Sequence, residues 1–373
     1  MIILKEVKTK KEQKEFLNFP LKLYKNNPYF VPPLYMDEKK IFDKNYMYLD
    51  QAEAIYYNAY IDNKMVGRIS GIIQKAANNK YNEKRVRFTR FDSIDNQEVA
   101  DLLFKKVEEW AKDRGMDTIV GPLGFSDLER EGLLIEGFSE LSTFEEQYNF
   151  DYYQRLIENY GFKKEIDWLE RKVYAPEALD ERLERISSMM LKRYNLKFAK
   201  FKNTKEIIKR YGVKLFKVID ETYKNIYGSV PFTDGMRDML INNFKLIVKP
   251  ENVSIIVDGN DDVVCFGICF PSIAKSLQKS SGHLTIPAIF RVLKAIKKPE
   301  VIDLALIGVL PEYEGRGVSS AILVHVYNLL KKYNAIYAET NLNLETNTHI
   351  HNQWKSFKTI CHKRRRSFVK KID

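Results

Sequence analysis

Hydrophobic and polar positions in the first half of the chain change from the alternation of strands to the spacing of helices. Ala54–Asp62 and Met65–Gln74 alternate around a polar turn and predict a β-hairpin, and Arg85–Phe91 predicts a third strand. Apolar residues then recur at helical spacing over Asn96–Arg114, and Gly115 marks the expected left-handed end of that helix. The next predicted elements are a strand at Thr118–Val120, a helix at Tyr152–Tyr160 and a strand at Asp167–Tyr174.

The second half of the chain repeats this order of elements. Val253–Asp258 and Val263–Phe270 predict another hairpin, which the strand Val301–Val309 follows. A loop at Leu310–Arg316 then leads into a predicted helix at Gly317–Lys332. The last predicted elements are a strand at Ile336–Thr340, a helix near Thr346–Phe357 and a basic C-terminal strand.

The repeated order indicates an internal duplication. Gly67 and Gly267 occupy the same place in the two hairpins, just inside the second strand. Because strands alternate with helices in both halves, the predicted class is α/β (α+β), with a mixed sheet in each of two tandem domains. The predicted division gives residues 1–175 to the first domain, 176–194 to a connecting helix and 195–373 to the second domain.

Composition excludes several classes of protein. No run of about 18 apolar residues occurs, so the sequence predicts neither a membrane span nor a membrane partner. The N-terminus lacks the apolar stretch of a signal peptide, and Cys265, Cys269 and Cys361 show no metal-ligand spacing. These features favour a cytoplasmic protein with free thiols and no metal site.

The net charge of +11 favours a polyanionic partner or a phosphorylated cofactor. Most of the excess positive charge is lysine scattered over the whole chain. A Lys-rich composition gives the same pattern without any polyanionic partner. The one dense basic cluster, at residues 363–366, lies close to the C-terminus. Charge therefore leaves nucleic acid open as a partner.

The loop between the strand Val301–Val309 and the following helix carries the clearest chemical signal. A strand that runs through glycines into a helix points backbone N–H groups and the positive helix end at one spot, which favours an anion. Gly315 and Gly317 permit a phosphate to approach the backbone closely. The spacing is neither Gly-x-Gly-x-x-Gly nor a P-loop, which disfavours a dinucleotide or a nucleoside triphosphate.

This segment resembles the acetyl-CoA motif of the GCN5-related N-acetyltransferases (GNATs), Arg/Gln-x-x-Gly-x-Gly/Ala. The resemblance implies a mixed sheet that splays between its fourth and fifth strands and holds the pantetheine arm of acetyl-CoA or another acyl-CoA there. It assigns Val309 and Leu310 to the strand end that meets the acyl carbonyl and pantetheine. It assigns the pyrophosphate loop to Glu314, Gly315, Arg316, Gly317, Val318, Ser319 and Ser320.

The motif departs from the family pattern at two places. Glu314 stands where Arg or Gln is usual, and Arg316 between the glycines offsets its charge. Ser319 replaces the usual Gly or Ala. The first half resembles the same fold, but its corresponding segment, residues 92–98, has no glycine and three acids, so this half is not expected to bind CoA. Segments 30–34, 132–138 and 345–347 resemble a bacterial subgroup of tandem acetyltransferase-like proteins.

Acyl transfer from a thioester to an amine requires a base and an oxyanion donor. The resemblance implies the backbone N–H of Val309 as the donor. Glu339 and Glu345 are the candidate bases, with salt-bridged carboxylates as the alternative interpretation, and Asp303 is placed farther from the splay. Trp354 stands where many relatives have a tyrosine acid. Other proton donors considered are Tyr327 and Tyr313; an acid-free reaction and an impaired domain are the alternatives.

The predicted function is transfer of an acetyl or other acyl group from CoA to a small-molecule or peptide amine by direct attack. Residues 132–138, Phe144 and Tyr148 are expected to shape the acceptor cleft between the halves, although core packing explains them as well. One alternative is an aminoacyl-tRNA-dependent transferase, and another is a non-catalytic module that binds CoA or a partner. The sequence defines neither the acceptor, the acyl chain nor the oligomeric state.

Overall fold

The computed structural model describes residues 1–372. Its strands are β1 Ile2–Glu6, β2 Ala52–Ile61, β3 Lys64–Gln74, β4 Arg85–Ser93, β5 Thr118–Gly121, β6 Leu133–Glu136, β7 Lys163–Tyr174, β8 Lys197–Phe198, β9 Val253–Val257, β10 Val263–Pro271, β11 Val301–Val309, β12 Tyr337–Thr340, β13 Asn343–Leu344 and β14 Lys358–Lys371. Its helices are α1 Lys10–Leu23, α2 Tyr35–Lys39, α3 Lys75–Tyr81, α4 Gln97–Lys112, α5 Tyr152–Asn159, α6 Glu181–Arg193, α7 Thr204–Tyr223, α8 Asp234–Ile247, α9 Ala274–Gln278, α10 Ile286–Lys297, α11 Ser320–Tyr333 and α12 Thr348–Gln353.

The predicted hairpins and the α/β class are confirmed. Asp62 and Asn63 adopt positive φ angles of 48° and 61°, which lets β2 turn directly into β3. Gly115 has a φ of 74° just past α4, as the sequence predicted. The helix α11 begins at Ser320 rather than at Gly317, because a φ of 75° at Gly317 is incompatible with a right-handed helix.

All of the named strands in residues 1–372 join one continuous mixed sheet. Its main path is β1-β2-β3-β4-β5-β14-β7-β12-β11-β10-β9-β8, while β6 pairs with β14 and β13 pairs with β7. Helix α11, together with Leu183 of α6, covers one face of the C-terminal half, and α7 covers the other. No helix in residues 1–372 combines the length and apolar composition that crossing a bilayer requires.

The two halves exchange strands at the centre of this sheet. The C-terminal strand β14 pairs with β5 of the N-terminal half, and β7 pairs with β12 of the C-terminal half. These two strands also pair with each other, antiparallel, from Lys358↔Tyr174 to Val369↔Lys163. The sequence predicted the basic final strand but not this position, and the domain division at residues 175 and 195 stays a prediction.

Buried charges hold the exchanged strands together. Lys363 of β14 lies 3.2 Å from Glu170 of β7 and also forms an ion pair with Glu339 of β12. Arg365 donates to the same Glu170 over 2.7 Å. Burial by itself raises the pKa of Glu170, but the positive charges of Lys363 and Arg365 hold it at about 2. The basic cluster at 363–366 is therefore largely used inside the sheet.

The remaining two arginines of the cluster bind Asp167. Arg364 donates to this buried carboxylate over 3.0 Å, and Arg366 binds it through two hydrogen bonds of 2.7 and 3.0 Å. The cluster thus forms ion pairs with β7 and is not a free basic surface for a polyanion.

We expect Lys363→Met to reduce the free energy of unfolding by roughly 3–5 kcal/mol, because it leaves the carboxylates of Glu170 and Glu339 buried without their shared cation. The matched control is Lys371→Met near the end of the same strand, where the side chain is 76% exposed and a loss below about 1 kcal/mol is expected. Urea denaturation followed by circular dichroism measures both. Equal, small losses would contradict a stabilising role for the buried pairs.

Candidate active site

The strand β12 ends near the middle of the sheet, while its neighbour β11 continues. β12 pairs in parallel with β11 over its whole length, from Val301↔Tyr337 to Leu304↔Thr340. The chain then forms β13 against β7, whereas β11 runs on to Val309 beside β10, and the opening left on its other side is the gap between β11 and β12. A bulge between Ile268 and Cys269 shifts the pairing of β10 with β11 at the same level. The bulge therefore coincides with the start of a gap between β11 and β12.

The free edge of β11 points its backbone polar groups into this gap. The hydroxyl of Tyr223, at the end of α7, donates to the Ile307 carbonyl over 3.0 Å and accepts from the Ile307 N–H over 3.3 Å. On the other edge, the Leu310 N–H donates to the Val264 carbonyl of β10 over 2.9 Å. Because backbone direction alternates along a strand, the N–H of Val309 points toward the gap, like that of Ile307.

The glycine loop after β11 presents unpaired amides. Gly315 and Gly317 have φ angles of 67° and 75°. Within residues 1–372, the N–H groups of Gly315, Gly317, Val318 and Ser319 donate to no acceptor. The Ser320 hydroxyl closes the loop by donating to the Gly317 carbonyl over 2.6 Å. With α11 starting at Ser320, this arrangement is suited to an anion.

The surroundings of the loop leave room for a ligand on one side. A Cβ at Gly315 would meet nothing within 4 Å, whereas one at Gly317 would come within 3.2 Å of Ile186 in α6. Glu314 is exposed, and the guanidinium of Arg316 lies 5.5 Å from the ring centre of Tyr194. Arg316 thus stands at the loop, where the sequence analysis expected it to offset Glu314.

The candidate base Glu339 is held in an ionic network. Its buried carboxylate forms an ion pair with Lys363 and lies 3.3 Å from Nε2 of His362. Burial raises its pKa, but the nearby charges of Lys363 and His362 bring the pKa below its ordinary value. Such a carboxylate accepts a proton less readily than a free one.

Asp303 was placed wrongly relative to Glu339. The sequence analysis set it farther from the splay, but Asp303 pairs directly with Glu339 across β11 and β12, next to the last pair before the gap. Burial and the charge of Glu339 raise the pKa of Asp303 well above its ordinary value. The two carboxylates are therefore neighbours with opposite pKa shifts.

Glu345 is tied to β7 and β14. Its carboxylate lies 2.7 Å from Lys164 and 3.7 Å from Arg364, and it accepts from the N–H of Asp167 over 3.3 Å. None of these contacts involves Val309 or the glycine loop. The structure therefore does not bring Glu345 together with the other predicted site residues.

The proton donors considered from the sequence do not lie in the gap. Trp354 is buried, packs edge-on against Phe357 at 6.0 Å, and its indole N–H has no acceptor in the described chain. Tyr327 donates to the Glu177 carbonyl over 3.4 Å, and Tyr313 packs against Tyr194 at 5.9 Å. The sequence analysis did not single out Tyr223. A tyrosine at the end of a predicted helix gives no sign that its hydroxyl reaches the backbone of Ile307.

A cavity of about 250 Å³ lies between the two halves. Most of its wall is apolar, and the wall residues include Phe30, Val31, Leu34, Phe144, Tyr148, Met239, Leu240 and Phe270. Phe144 and Tyr148, which the sequence analysis assigned to an acceptor cleft, both line it. In the 132–138 segment, Leu133–Glu136 forms β6 against β14 instead. Phe270 pairs with Asp303 across β10 and β11, which places this end of the cavity beside the carboxylates.

The charged groups of the cavity are mostly paired. Arg90 lies 2.5 Å from Glu38, and Arg68 lies 2.7 Å from Asp92. Glu145 is the exception, because it forms no hydrogen bond or ion pair within residues 1–372. Burial raises the pKa of Glu145 to about 7. It is thus a carboxylate that changes charge near neutral pH.

At the corresponding strand edge of the N-terminal half, tyrosine hydroxyls bind the backbone of Ser93 as Tyr223 binds that of Ile307. The Ser93 N–H donates to the Tyr153 hydroxyl over 3.0 Å, and the Tyr152 hydroxyl donates to the Ser93 carbonyl over 2.7 Å. Asn96 caps α4 by accepting from the Val99 N–H over 3.1 Å. The expectation that this half does not bind CoA stays a prediction.

Cysteine and metal chemistry find no support at this site. Cys265 and Cys269 are buried, and burial raises the pKa of Cys269 to about 12. In the part of the chain that the structure describes, no group of three His, Cys, Asp or Glu side chains is arranged to hold a metal ion.

Solved structures with the same architecture identify the fold. A tandem GNAT protein from the clavulanic acid biosynthesis pathway superposes with a TM-score of 0.59 at 9% identity, covering 100% of this chain and 99% of that one. The chain has a tandem GNAT fold. A GCN5-related N-acetyltransferase from Sphaerobacter thermophilus gives a TM-score of 0.51 at 12% identity, covering 100% and 96% of the two chains.

The relatives found by sequence are distant from this chain. Protein YghO of Escherichia coli K12 is 25% identical over 381 residues, covering 97% of this chain and 94% of the relative. Bacterial ceramide synthase of Caulobacter vibrioides is 25% identical over 292 residues, covering 74% and 72%. No family model matches the sequence.

Proposed function

We propose that this protein is an acyl-CoA-dependent N-acyltransferase. The donor site is the gap between β11 and β12 with its glycine loop, and the acceptor site is the cavity between the halves. The observation that carries the proposal is the row of free amides at Gly315, Gly317, Val318 and Ser319 beside an open strand edge. Acetyl-CoA or another acyl-CoA supplies the activated carbonyl.

The residues of the C-terminal half fit such a donor. The loop amides and the start of α11 suit a pyrophosphate, and the open side of Gly315 admits its close approach. The N–H of Val309 points into the gap, where it donates to the thioester carbonyl oxygen as negative charge develops there. Leu310, Glu314, Arg316 and Ser320 complete the proposed cofactor site.

We assign Glu145 as the base because it lines the acceptor cavity and forms no ion pair within residues 1–372. The amine nitrogen attacks the thioester carbonyl carbon, so the C–N bond forms and the C–S bond breaks. Glu145 accepts the proton that the amine loses, and the thiol leaves with a proton, for which the Tyr223 hydroxyl is the donor nearest the β11 edge. The assignments of Glu339 and Glu345 as bases stay predictions, since both are bound in ion pairs.

An acceptor with an apolar chain suits the cavity. Its wall is built mainly from aromatic and aliphatic side chains, which favour alkyl groups. One relative is named a ceramide synthase, and a ceramide is the amide of a fatty acid with a long-chain amine. We therefore infer that the acceptor is an amine that carries an alkyl chain.

No specific observation supports either alternative function. The net charge of +11 made tRNA a suitable partner, but its one dense cluster forms ion pairs within the sheet through Lys363, Arg365 and their neighbours. If the protein binds CoA but acylates none of a panel of alkyl amines, it is a non-catalytic binding module.

We expect Gly315→Glu to weaken acetyl-CoA binding about tenfold or more, because the new carboxylate repels the pyrophosphate at the loop amides. Isothermal titration calorimetry measures the affinity. The matched control is Gly115→Glu after α4, since both glycines have positive φ and open space around a Cβ. A non-glycine residue at a positive φ costs about 1–2 kcal/mol of backbone strain, and this cost is common to both variants.

Unchanged acetyl-CoA affinity in Gly315→Glu would refute the loop as the donor site. Weakened binding in both variants would attribute the loss to backbone strain instead.

We expect kcat/KM for an alkyl amine to fall as pH drops below about 7, because Glu145 must be ionised to accept the proton. Glu145→Gln is expected to remove this acid limb and to reduce the rate roughly a hundredfold or more. Asp37→Asn is the matched control, since Asp37 also lines the cavity but is paired with Lys40 at 2.7 Å. Steady-state kinetics over a pH series provides the measurement.

Retention of the acid limb in Glu145→Gln, together with its loss in Glu339→Gln, would transfer the role of base to Glu339. Retention of the acid limb in both variants would exclude Glu145 and Glu339 as the base.

A further inference from the structure

The connection between β10 and β11 carries a helix whose outer face is apolar. Ala288 and Ile296 of α10 are buried, and this inner face packs toward Val31 and α9. On the outer face, the exposed fractions are 72% for Ile286, 68% for Phe290 and 55% for Leu293. Large apolar side chains on a helix of a folded protein are normally directed inward.

These exposed residues form one continuous stripe. Ile286, Ile289, Phe290 and Leu293 follow the i, i+3, i+4, i+7 spacing of a single helix face. Exposed Leu284 precedes the helix, and the Tyr35 N–H donates over 3.0 Å to the carbonyl of Gly282 in the same connection. Exposed apolar surface of this extent marks an interaction site.

Positive charge borders the stripe. The outer side of this connection carries Lys279, Lys294, Lys297 and Lys298, none of which forms an ion pair within residues 1–372. The one acidic residue in the sequence of this connection, Glu300, is paired with Lys275 at 2.6 Å. The helix is therefore amphipathic in an unusual sense: its free face combines exposed apolar residues with unpaired cations.

We propose that α10 lies on the surface of an anionic lipid membrane, with the stripe of Ile286, Ile289, Phe290 and Leu293 inserted among the lipids. Apolar residues flanked by lysines are the arrangement that binds both the acyl region and anionic headgroups. A second copy of the chain would bring the same unpaired lysines together, which disfavours self-association through this face.

The sequence-based expectation of no membrane partner rested on the lack of a spanning segment. A helix that lies in the membrane surface needs no such segment, because only one of its faces enters the lipid.

The position of α10 connects this surface to the cavity. The cluster that contains Ile296 of α10 also contains Val31, and Leu34 and Phe144 pack against it; all three of these neighbours line the cavity. If the proposed acyltransfer holds, the membrane surface is the source of the alkyl amine. Membrane association itself does not depend on that function.

Flotation of the full chain with lipid vesicles tests the proposal. We expect binding to phosphatidylcholine vesicles that contain phosphatidylglycerol, and weak binding to phosphatidylcholine alone. The double variant Phe290→Gln with Leu293→Gln is expected to lose binding about tenfold or more, because two exposed apolar side chains no longer enter the lipid. Lys294→Gln with Lys297→Gln is expected to reduce binding to the anionic vesicles specifically.

The matched control is Val213→Gln, since Val213 is 87% exposed on α7 and lies outside the stripe. An unchanged midpoint of thermal unfolding and an unchanged circular dichroism spectrum show that each variant is folded. Absence of vesicle binding by the native chain, or undiminished binding by the Phe290/Leu293 variant, would overturn the proposal. A dimer that this variant abolishes would assign the stripe to a second copy and overturn it as well.

Discussion

Exchange of β7 and β14 between the halves is the constraint on which the rest of the structure depends. β14 lies between β5 and β7 of the N-terminal half, and β7 lies between β14 and β12 of the C-terminal half, so neither half forms its part of the sheet alone. Burying Lys363, Arg365, Glu170 and Glu339 at this junction is acceptable only because their charges compensate one another. The paired charges also favour one register of β14, since displacement of the strand separates them.

The exchange positions the candidate site. The strand β12 forms one wall of the gap and is supported by β7 from the other half, while β11 leaves it after Leu304. Backbone alternation beyond the bulge directs the Val309 N–H into the opening. The N-terminal half contributes most of the cavity wall. In the proposed function, two copies of one fold serve different purposes, one for the donor and one for the acceptor.

Charge is used in two ways that the net value of +11 conceals. The cations at 363–366 neutralise carboxylates inside the sheet. The lysines around α10 remain unpaired beside exposed apolar residues, in a connection that contacts the cavity wall. Basic residues therefore stabilise the sheet in one place and remain on the surface in another. Only the presence or absence of nearby carboxylates distinguishes the two cases.

The sequence by itself determined the features that depend on neighbouring residues. These include the two hairpins, the amphipathic helix α4, the left-handed Gly115 and the glycine loop at the start of α11, because periodicity and φ preference act locally. Tertiary structure decided the features that join distant segments. The place of β14, the pairing of Asp303 with Glu339, the Tyr223 hydroxyl at Ile307 and the free Glu145 all depend on which strands and helices meet. Long-range pairing and burial, which set the partners and pKa of each group, leave no periodic signal along the chain.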